Sequence, residues 1–497
     1  MKKLVNKCVE KITSPLNATF TKVMERIHAA LGKSVTLSTK LATLLLIKYL
    51  YIFLVVMILK DQWYVGYGSY GIAFVLWKEL LGSIVFLAIC AVYMTINIEK
   101  TLTDTILYFL LVLSYIPVNS AFSINNQPFA FFISSNLYFL LIIVAVSCGI
   151  KLIKKAQAYS VQKGSYKTQV IQTELYNDRN VAGFCIFICC TFILYKLMYN
   201  GLSLSVSMNY EDVYGNRAVF TEYLDRISRT LFSYLFAILR NATSFVAPFY
   251  IIISLMRKKW GQVVLGLTCT LAQYAVFSGK GTLLFIPIVF GVYLCYRMHL
   301  LQYIKRVFTI GMVGLLIVCL LEHFLLKNDR VFTLIIRRMM YAPAWLNTMY
   351  YEYFTENGPV LWTQNVFLLQ NILQPVYEVG PLQLISETYF GGQVPSPNTG
   401  LFAEAVMHFG MVGVLIYPVL IAIVLLIFDA IFEKYGMCIQ IFVAIKLALQ
   451  LQNTPMTRTD FVLSYYFCAF MLFVLPYLHL EDLPKKIKAA LHFRRDA

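Results

Sequence analysis

Charged residues are scarce in this chain: only 13% of its 497 residues are Asp, Glu, Lys or Arg, whereas 59% are hydrophobic. A water-soluble domain of this length could not bury so much apolar surface, so the composition indicates an integral membrane protein. Acidic residues are the rarer sign, with 25 against 42 basic ones. The net charge of +17 does not indicate a nucleic-acid partner, because the basic residues stand in short clusters between apolar runs.

The 11 cysteines include no CxxC pair, and none of them falls in a segment predicted to face outward. We therefore expect neither disulfides nor a thiolate metal site. The first 40 residues hold many lysines but lack an apolar core, which argues against a cleavable signal peptide. The first membrane span is then expected to start insertion itself.

Apolar runs of membrane-crossing length recur along the chain. A bilayer core needs roughly 20 apolar residues per helix, and this length predicts an all-α polytopic membrane protein with about twelve transmembrane helices. The predicted spans are 41–60, 71–96, 105–122, 129–150, 180–198, 230–255, 260–277, 281–298, 308–326, 401–428, 437–452 and 461–479.

The basic clusters predict the orientation, because cytoplasmic loops of membrane proteins carry an excess of Lys and Arg. With the N-terminus inside, the clusters at 151–155, 257–259, 297–306 and 485–495 all face the cytoplasm, and so do both termini. The predicted division is a basic cytoplasmic leader (1–40), transmembrane helices 1–9 (41–326), an extracytoplasmic loop (327–399), transmembrane helices 10–12 (400–480) and a basic cytoplasmic tail (481–497).

Apolar residues recur at helical spacing within the leader, at Leu16, Phe20, Val23, Met24, Ile27 and Leu31. This spacing is typical of an amphipathic helix on an anionic inner leaflet. A loosely ordered basic leader fits the composition equally well.

Two outward segments are long, namely residues 200–229 and 327–399. Because the other outward connections are short, we expect the protein to act on its outer face. The longer segment is expected to contain helices at Ala344–Phe354 and Val366–Leu373 and to lie on the helix bundle as a small cap.

Basic residues in outward segments run against the positive-inside rule, which makes each a candidate for function. Arginine is also the side chain best suited to a diphosphate, because its planar fork makes two charge-assisted bonds at once. These residues are Arg217, Arg226, Arg229, Lys280, Lys327, Arg330, Arg337, Arg338 and Arg458.

Lys280 lies in the short link SGKG between two predicted spans. Glycines on both sides allow close approach of a ligand, and a helix starting at Thr282 would offer free N–H groups to an anion. The alternative is a tight helical hairpin whose lysine extends to the membrane surface.

Arg337 and Arg338 precede an aromatic run, YYEYF, that begins at Tyr350 and includes Tyr351. Aromatic rings stack on sugars and also anchor helices at the membrane interface, so the run fits either role. Two adjacent cations at a membrane boundary are costly unless an anion meets them.

The outward segment MNYEDVYGNR, residues 208–217, combines Glu211 with Arg217. A carboxylate here could act as general base toward a sugar hydroxyl. A solvated loop with local salt bridges is the alternative.

The stretch PSPNTGLFAEAVMHFGMVG, residues 395–413, opens a predicted span with an acid and an imidazole one helical turn apart, Glu404 and His408. We expect Asn398 or Thr399 to cap this helix, and the later Arg458 to converge with the pair near the outer surface. An ionisable pair at membrane depth is a functional hypothesis, although a Glu–His pair at this spacing also satisfies itself.

Gly410 and Gly413 are expected to face another side of that helix and to admit a neighbouring helix closely. Other polar residues inside predicted spans, such as Lys78, Glu79 and Lys446, suggest a proton or ion path, although Lys78 and Glu79 could simply neutralise each other.

The order of these motifs resembles that of the bacterial O-antigen and capsular repeat-unit polymerases of the Wzy type: SGKG between two spans, then RRMMYAPA and YYEYF in an outer loop, then PSPNTGLFAEAVMHFGMVG. The likeness covers about residues 270–430 at the level of motifs and the whole chain at the level of topology. The motifs are loose, and Lys280 stands where this family usually has arginine.

The resemblance implies a GT-C-like glycosyltransferase in the bacterial cytoplasmic membrane, with its active site on the extracytoplasmic face. It would use undecaprenyl-diphosphate-linked oligosaccharides and move the growing glycan from its lipid diphosphate onto the terminal sugar hydroxyl of an incoming lipid-linked unit. No cofactor or metal is implied, and a chain-length regulator and a flippase are the implied protein partners. An O-antigen ligase and a lipid-linked oligosaccharide flippase or other transporter are the alternatives.

Glycosyl transfer needs a base at the acceptor hydroxyl and fixed cations where charge builds on the leaving diphosphate. The candidate bases are Glu404, His408 and Glu211, and the candidate diphosphate- or substrate-binding residues are Arg217, Lys280, Arg337, Arg338, Arg458 and Tyr351.

Overall fold

The described part of the chain is almost entirely helical. The computed structural model describes residues 24–33, 35–60, 63–64, 68–69, 71–96, 98, 101–162, 178–200, 231–277, 280–366, 369–392, 397–433 and 435–469. The first half contains α1 (Leu37–Leu59), α2 (Leu76–Thr95), α3 (Thr101–Leu110), α4 (Ile116–Ile124), α5 (Phe129–Gln162), α6 (Asp178–Asn200) and α7 (Leu231–Met256). The second half contains α8 (Trp260–Phe277), α9 (Lys280–Arg297), α10 (Ile304–Leu326), α11 (Ala342–Asn357), α12 (Pro381–Phe390), α13 (Phe402–Phe432), α14 (Met437–Asn453) and α15 (Thr459–Phe461).

The remaining elements are short. Two strands of two residues each, β1 (Trp63–Tyr64) and β2 (Gly68–Ser69), pair antiparallel between α1 and α2. Single 3₁₀ turns occupy Leu301–Tyr303 and Leu369–Asn371, and π-helical segments occupy Leu111–Tyr115, Phe332–Tyr341 and Val462–Tyr466.

Membrane-crossing helices dominate the described part of the chain. Seven are long and apolar enough to span a bilayer, judged by length and composition: Leu37–Leu59, Leu76–Thr95, Thr101–Ile124, Phe129–Ala156, Ile238–Met256, Leu301–Leu326 and Phe402–Phe432. Shorter apolar helices lie at Ala182–Tyr195, Phe285–Arg297 and Met437–Asn453. These helices coincide with predicted spans, and the prediction of an all-helical polytopic membrane protein is confirmed.

Segments predicted on the same side of the membrane contact each other. Toward the predicted inner side, His28 Nε2 bonds to the carbonyl oxygen of Met298 at 2.9 Å, and the Arg306 guanidinium donates to the carbonyls of Leu31 and Lys33. Residues 24–32 are helical, with Leu31 buried, so the described end of the leader packs on the link between α9 and α10.

The long loop after α10 is largely helical. Residues Phe332–Tyr341 form a π-helix that runs directly into α11, which confirms the helix predicted at Ala344–Phe354. The helix predicted at Val366–Leu373 is reduced to the 3₁₀ turn Leu369–Asn371 within the described residues. The helix Ala342–Asn357 packs against the bundle, where the Tyr351 ring lies edge-on to Phe131 of α5 at a centroid distance of 5.3 Å.

Gln452 ties two π-helical segments together. A π-helix shifts backbone pairing by one residue and so leaves a carbonyl oxygen open to an outside donor. The Gln452 side-chain nitrogen donates to the carbonyl oxygens of Leu113, at 2.7 Å, and Met339, at 2.5 Å. The loop helix that carries Arg337 and Arg338 is thereby joined to the end of α14.

A buried ion pair lies inside the bundle, but its partners differ from those predicted. Lys48 of α1 bonds to Glu79 of α2 at 2.8 Å, with both side chains essentially inaccessible. Ser83 and Ser123 also donate to the Glu79 carboxylate, at 2.8 and 2.7 Å. The alternative that Lys78 and Glu79 neutralise each other is therefore wrong, because adjacent helical residues point in different directions and Lys78 bonds instead to Asn126 and Gln127.

Candidate functional site

The stretch predicted to open a span folds as a short helix followed by a reversal. Gly410 has φ 57° and ψ −140°, a combination outside the helical region that only glycine adopts readily. A Cβ added to Gly413 would lie 2.0 Å from the carbonyl oxygen of Ala405. In a straight helix these two residues would be about 12 Å apart, so residues 402–409 pack back against the start of the long helix.

The membrane-crossing part of α13 therefore begins after Gly410. Residues 411–432 are about 33 Å long as a helix, which is enough to span a bilayer without the short helix. The expectation that Gly413 admits a neighbouring helix is corrected, since its nearest neighbour is the backbone of its own short helix.

The short helix is capped from α11, and not by Asn398 or Thr399 as predicted. The Asn347 side-chain oxygen accepts a hydrogen bond of 2.8 Å from the backbone N–H of Ala403 in the first turn. Leu401, at the N-cap position, has φ 53° and provides no side-chain acceptor. The Thr399 hydroxyl instead accepts a hydrogen bond of 3.3 Å from the side-chain nitrogen of Asn347 and so helps to position the cap.

Gly400 locks the entry loop against the end of α14. Its N–H donates to the carbonyl oxygen of Gln452 at 3.1 Å. A Cβ at this position would meet the backbone oxygens of Leu451 and Thr454 at 2.1 and 2.7 Å. No residue with a side chain fits here, so the loop and the outer link between α14 and α15 hold a defined position relative to each other.

Glu404 points into that link and is fully enclosed, with 2% of its surface exposed. One carboxylate oxygen accepts the backbone N–H of Met456 at 2.7 Å, and the other accepts the N–H and the hydroxyl of Thr457 at 3.1 and 2.8 Å. Three donors satisfy this carboxylate, and among the described residues no cation pairs with it directly. Glu404 thus fixes the two residues that precede Arg458.

His408 lies one turn further along and reaches the same hydroxyl. Its Nε2 is 3.3 Å from Oγ1 of Thr457, while the Thr457 proton is donated to Glu404. A hydroxyl has one proton, so Nε2 of His408 must carry the hydrogen of this second bond, and Nδ1 of the neutral ring is left as an acceptor. Within the described residues Nδ1 is buried and has no hydrogen-bond partner.

Arg458 is the cation of this cluster. Its guanidinium contacts the side-chain oxygen of Asn398 in the entry loop. Tyr350 of α11 lies nearby and donates to the carbonyl oxygen of Pro397 at 3.0 Å. Burial raises the pKa of the Tyr350 phenol, and the positive charge of Arg458 opposes that shift, so the phenol remains a neutral donor.

The predicted convergence of Glu404, His408 and Arg458 is visible in these contacts, since all three meet at residues 456–458. The catalytic and binding roles given to them stay predictions. Thr457, Asn347 and Gln452 were missed, because no local sequence signal pairs them with a helix many residues away.

The other predicted residues lie in different surroundings. Arg338 is exposed and Arg337 is partly buried on the π-helix that Gln452 holds. Tyr351 packs inside the bundle, stacked on Phe402 at 6.0 Å and edge-on to Phe131 at 5.3 Å. Both contacts occupy its ring, so in this arrangement Tyr351 offers no free face to a sugar.

For three of the predicted site residues the side chain is not among the described parts of the structure. Glu211 and Arg217 lie outside the described residues. Lys280 is the first residue of α9, two residues earlier than the helix start predicted at Thr282, and its side chain lies outside the description. No group of three or more His, Cys, Asp or Glu residues in the described part of the chain is arranged to hold a metal ion.

Chemically, the cluster joins a hydrogen-bond acceptor on an imidazole to a carboxylate through a hydroxyl, beside an arginine. This arrangement can accept a proton at Nδ1 of His408 and stabilise the resulting imidazolium through Thr457.

Comparisons with protein-family models, with curated proteins and with solved structures give no match for this chain.

Proposed function

We propose that this chain is a glycosyltransferase that polymerises undecaprenyl-diphosphate-linked oligosaccharide repeat units at the extracytoplasmic face of the bacterial cytoplasmic membrane. The observation that carries the proposal is the row His408–Thr457–Glu404 beside Arg458. It combines a proton acceptor with a fixed cation, which are the two groups that glycosyl transfer from a diphosphate needs. The order of motifs from SGKG to PSPNTG, which resembles Wzy-type polymerases, supports the same activity.

In the proposed reaction, the terminal sugar hydroxyl of the incoming unit attacks the anomeric carbon of the growing chain. The hydroxyl proton passes to Nδ1 of His408 as the new carbon–oxygen bond forms. The bond between the anomeric carbon and the diphosphate oxygen breaks, and its electron pair leaves with the lipid diphosphate. Glu404 does not touch the substrate in this scheme, because its lone pairs are engaged by residues 456 and 457.

Arginine side chains are assigned to the leaving group. Arg458 lies next to the residue that His408 contacts, so a diphosphate at its guanidinium would be within reach of the same sugar. Arg337 and Arg338 are assigned to the lipid diphosphate of the incoming unit. Gln452, near the end of α14, bonds to the helix that carries them, and α14 leads directly into the segment that holds Arg458. Tyr351 receives no role in sugar binding, since its ring is packed against Phe402.

The architecture proposed for this activity is a GT-C-like body of about twelve spans with both termini in the cytoplasm. The helices found at the predicted spans support it, and so do the contacts between segments predicted to share a side. A polytopic bundle allows the polyprenyl tails to stay in the bilayer while the diphosphates and sugars react at the surface.

The proposal is tested with purified protein in liposomes supplied with undecaprenyl-diphosphate-linked repeat units. A ladder of lengthening lipid-linked glycans is the expected product, and His408→Gln should abolish it while leaving the protein inserted. Transfer only to a lipid A core acceptor would identify a ligase instead. Movement of labelled units between leaflets without new glycosidic bonds would identify a flippase.

A further inference from the structure

The candidate base lies beneath a short segment of the long loop. The backbone N–H groups of Val360 and Leu361 donate to the last carbonyls of the short helix, those of Met407 and His408, each at 2.9 Å. The indole N–H of Trp362 donates to the hydroxyl of Tyr417 at 3.0 Å. Residues 359–363 thus close over His408, which has no exposed surface.

This covering segment is held in an unfavourable backbone conformation. Leu361 and Trp362 have φ values of 49° and 63°, in the left-handed region that bulky side chains avoid. Such strain persists only where surrounding contacts enforce it, and it is released when those contacts break. The closed segment therefore carries a backbone cost at Leu361 and Trp362.

Both ends of the segment are anchored by bonds separate from those that hold its middle over His408. The Tyr377 hydroxyl donates to the carbonyl oxygen of Gly358 at 2.6 Å. At the other end, the Gln364 amide donates to the carbonyls of Tyr377 and Val379 at 2.9 and 3.0 Å. These anchoring bonds go to Gly358, Tyr377 and Val379, which lie outside the short helix, so the segment can lift from His408 without losing them.

Two buried polar groups in this part of the bundle have no partner within the described residues, and they have opposite hydrogen-bonding character. Nδ1 of His408 is an acceptor, and the hydroxyl of Tyr138 is available as a donor. The Tyr138 phenol lies within electrostatic range of Glu404 and Tyr417, whose ring is stacked on His408 at 6.0 Å. Buried polar groups are normally paired, so the unpartnered acceptor Nδ1 of His408 indicates a position for a hydrogen-bond donor. A hydroxyl is such a donor.

We propose that residues 359–363 form a lid over a hydroxyl-binding position at Nδ1 of His408, and that the lid opens to admit a hydroxyl of the acceptor sugar. The bond between Trp362 and Tyr417 holds the lid closed in the absence of substrate. This inference rests on the proposed function for the identity of the hydroxyl, whereas the motion of the lid does not depend on it.

Lid opening is measured by the rate at which diethyl pyrocarbonate modifies His408, mapped by peptide mass spectrometry on the full chain in liposomes. The exposed His299 provides an internal reference for reagent activity. Trp362→Phe keeps the ring against Phe409 but removes the bond to Tyr417, so modification of His408 should accelerate about fivefold, the factor that one hydrogen bond supplies.

Further variants separate the lid from general loosening. Tyr417→Phe removes the same bond from the other side, together with an interaction of the Tyr417 hydroxyl with Thr457, and should accelerate modification at least as much as Trp362→Phe. Adding Trp362→Phe to Tyr417→Phe should then have no further effect. Leu361→Gly relieves the left-handed strain of the closed lid and should slow modification. Trp77→Phe, on an exposed position of α2, should behave as wild type. Equal modification rates in all these proteins would overturn the lid.

Protection of His408 from diethyl pyrocarbonate tests whether the bound hydroxyl comes from the lipid-linked sugar or from water. Wild-type protein is modified with and without purified undecaprenyl-diphosphate-linked repeat units, and we expect the units to protect His408. Absence of protection in a preparation that extends glycans would mean that only water occupies the position, which overturns the sugar assignment. The expected rate differences among the lid variants in a protein that extends no glycan would support the lid and overturn the polymerase.

Discussion

The hydroxyl of Thr457 is hydrogen-bonded to both His408 and Glu404, and its removal tests the proposed proton acceptor. Thr457→Val keeps the shape of the side chain and leaves both backbone hydrogen bonds to Glu404 in place. It deletes the 2.8 Å bond to Glu404 and the 3.3 Å bond to His408. The free energy of unfolding should fall by about 1–3 kcal/mol, since a buried imidazole N–H loses its acceptor.

The effect on the reaction should be larger than the effect on stability. Without the Thr457 oxygen, nothing described holds the hydrogen of His408 on Nε2, so the proton acceptor at Nδ1 is no longer defined. A positioned general base contributes about 10²–10⁴-fold, or roughly 3–5 kcal/mol of barrier, and kcat should fall within that range. KM for the lipid-linked units should change little, because the backbone that positions Arg458 is still fixed by Glu404.

The assay is initial-rate chain extension in liposomes, with a thermal unfolding curve on each variant. Thr457→Ser retains the hydroxyl and should restore most of kcat, which a purely structural role for the methyl group would not allow. A Thr457→Val enzyme within about twofold of Thr457→Ser would refute the connection between His408 and Glu404 as the source of catalysis.

Three further variants test other parts of the structure. Arg338→Ala, at an exposed position, should leave stability within about 0.5 kcal/mol of wild type while giving only single-repeat glycan on gels; wild-type-length polymer would remove Arg338 from the site. Gly400→Ala places a Cβ 2.1 Å from the Leu451 carbonyl oxygen and should cost at least about 1–3 kcal/mol, whereas Gly291→Ala, which meets nothing within 4 Å, should be neutral in thermal unfolding. Lys48→Met leaves Glu79 as an unpaired buried charge and should destabilise the protein by about 3–5 kcal/mol, and adding Glu79→Gln should recover most of that loss; a double variant as unstable as the single one would contradict this account of the pair.

The hydrophobic runs predict most of the helical framework, because span length depends on a local property. The helix Leu37–Leu59, for instance, differs from the predicted span 41–60 by only a few residues at each end. The helix Phe129–Ala156 begins at the predicted residue 129 and extends a few residues beyond the predicted end at 150. The predicted span 401–428 was wrong in one respect, since the chain reverses direction at Gly410 within it. Composition cannot register that Gly410 adopts φ 57° and turns a continuous apolar stretch into two packed helices.

The candidate site was predictable only in part, for a related reason. The one-turn spacing of Glu404 and His408 is local, and it correctly indicated that both side chains face the same way. Their common partner, Thr457, lies 53 residues beyond Glu404, and Asn347 caps the short helix from 56 residues before Ala403. Lys48 likewise pairs with Glu79 across two helices, whereas the sequence offered only its neighbour Lys78. Such pairings depend on helix packing, which a single sequence does not specify.

The reversal at Gly410 also bears on how the protein is made. During insertion a membrane segment is sorted by its hydrophobicity, and residues 402–432 form one stretch that is apolar except for Glu404, His408 and Asp429. The donors that hold Glu404 belong to Met456 and Thr457, which are synthesised only after α13 and α14. The short helix therefore reaches its final position late, when nearly the whole chain has left the ribosome. A nascent protein truncated before residue 456 should hold α13 and α14 in the membrane and still lack the contacts that position Glu404.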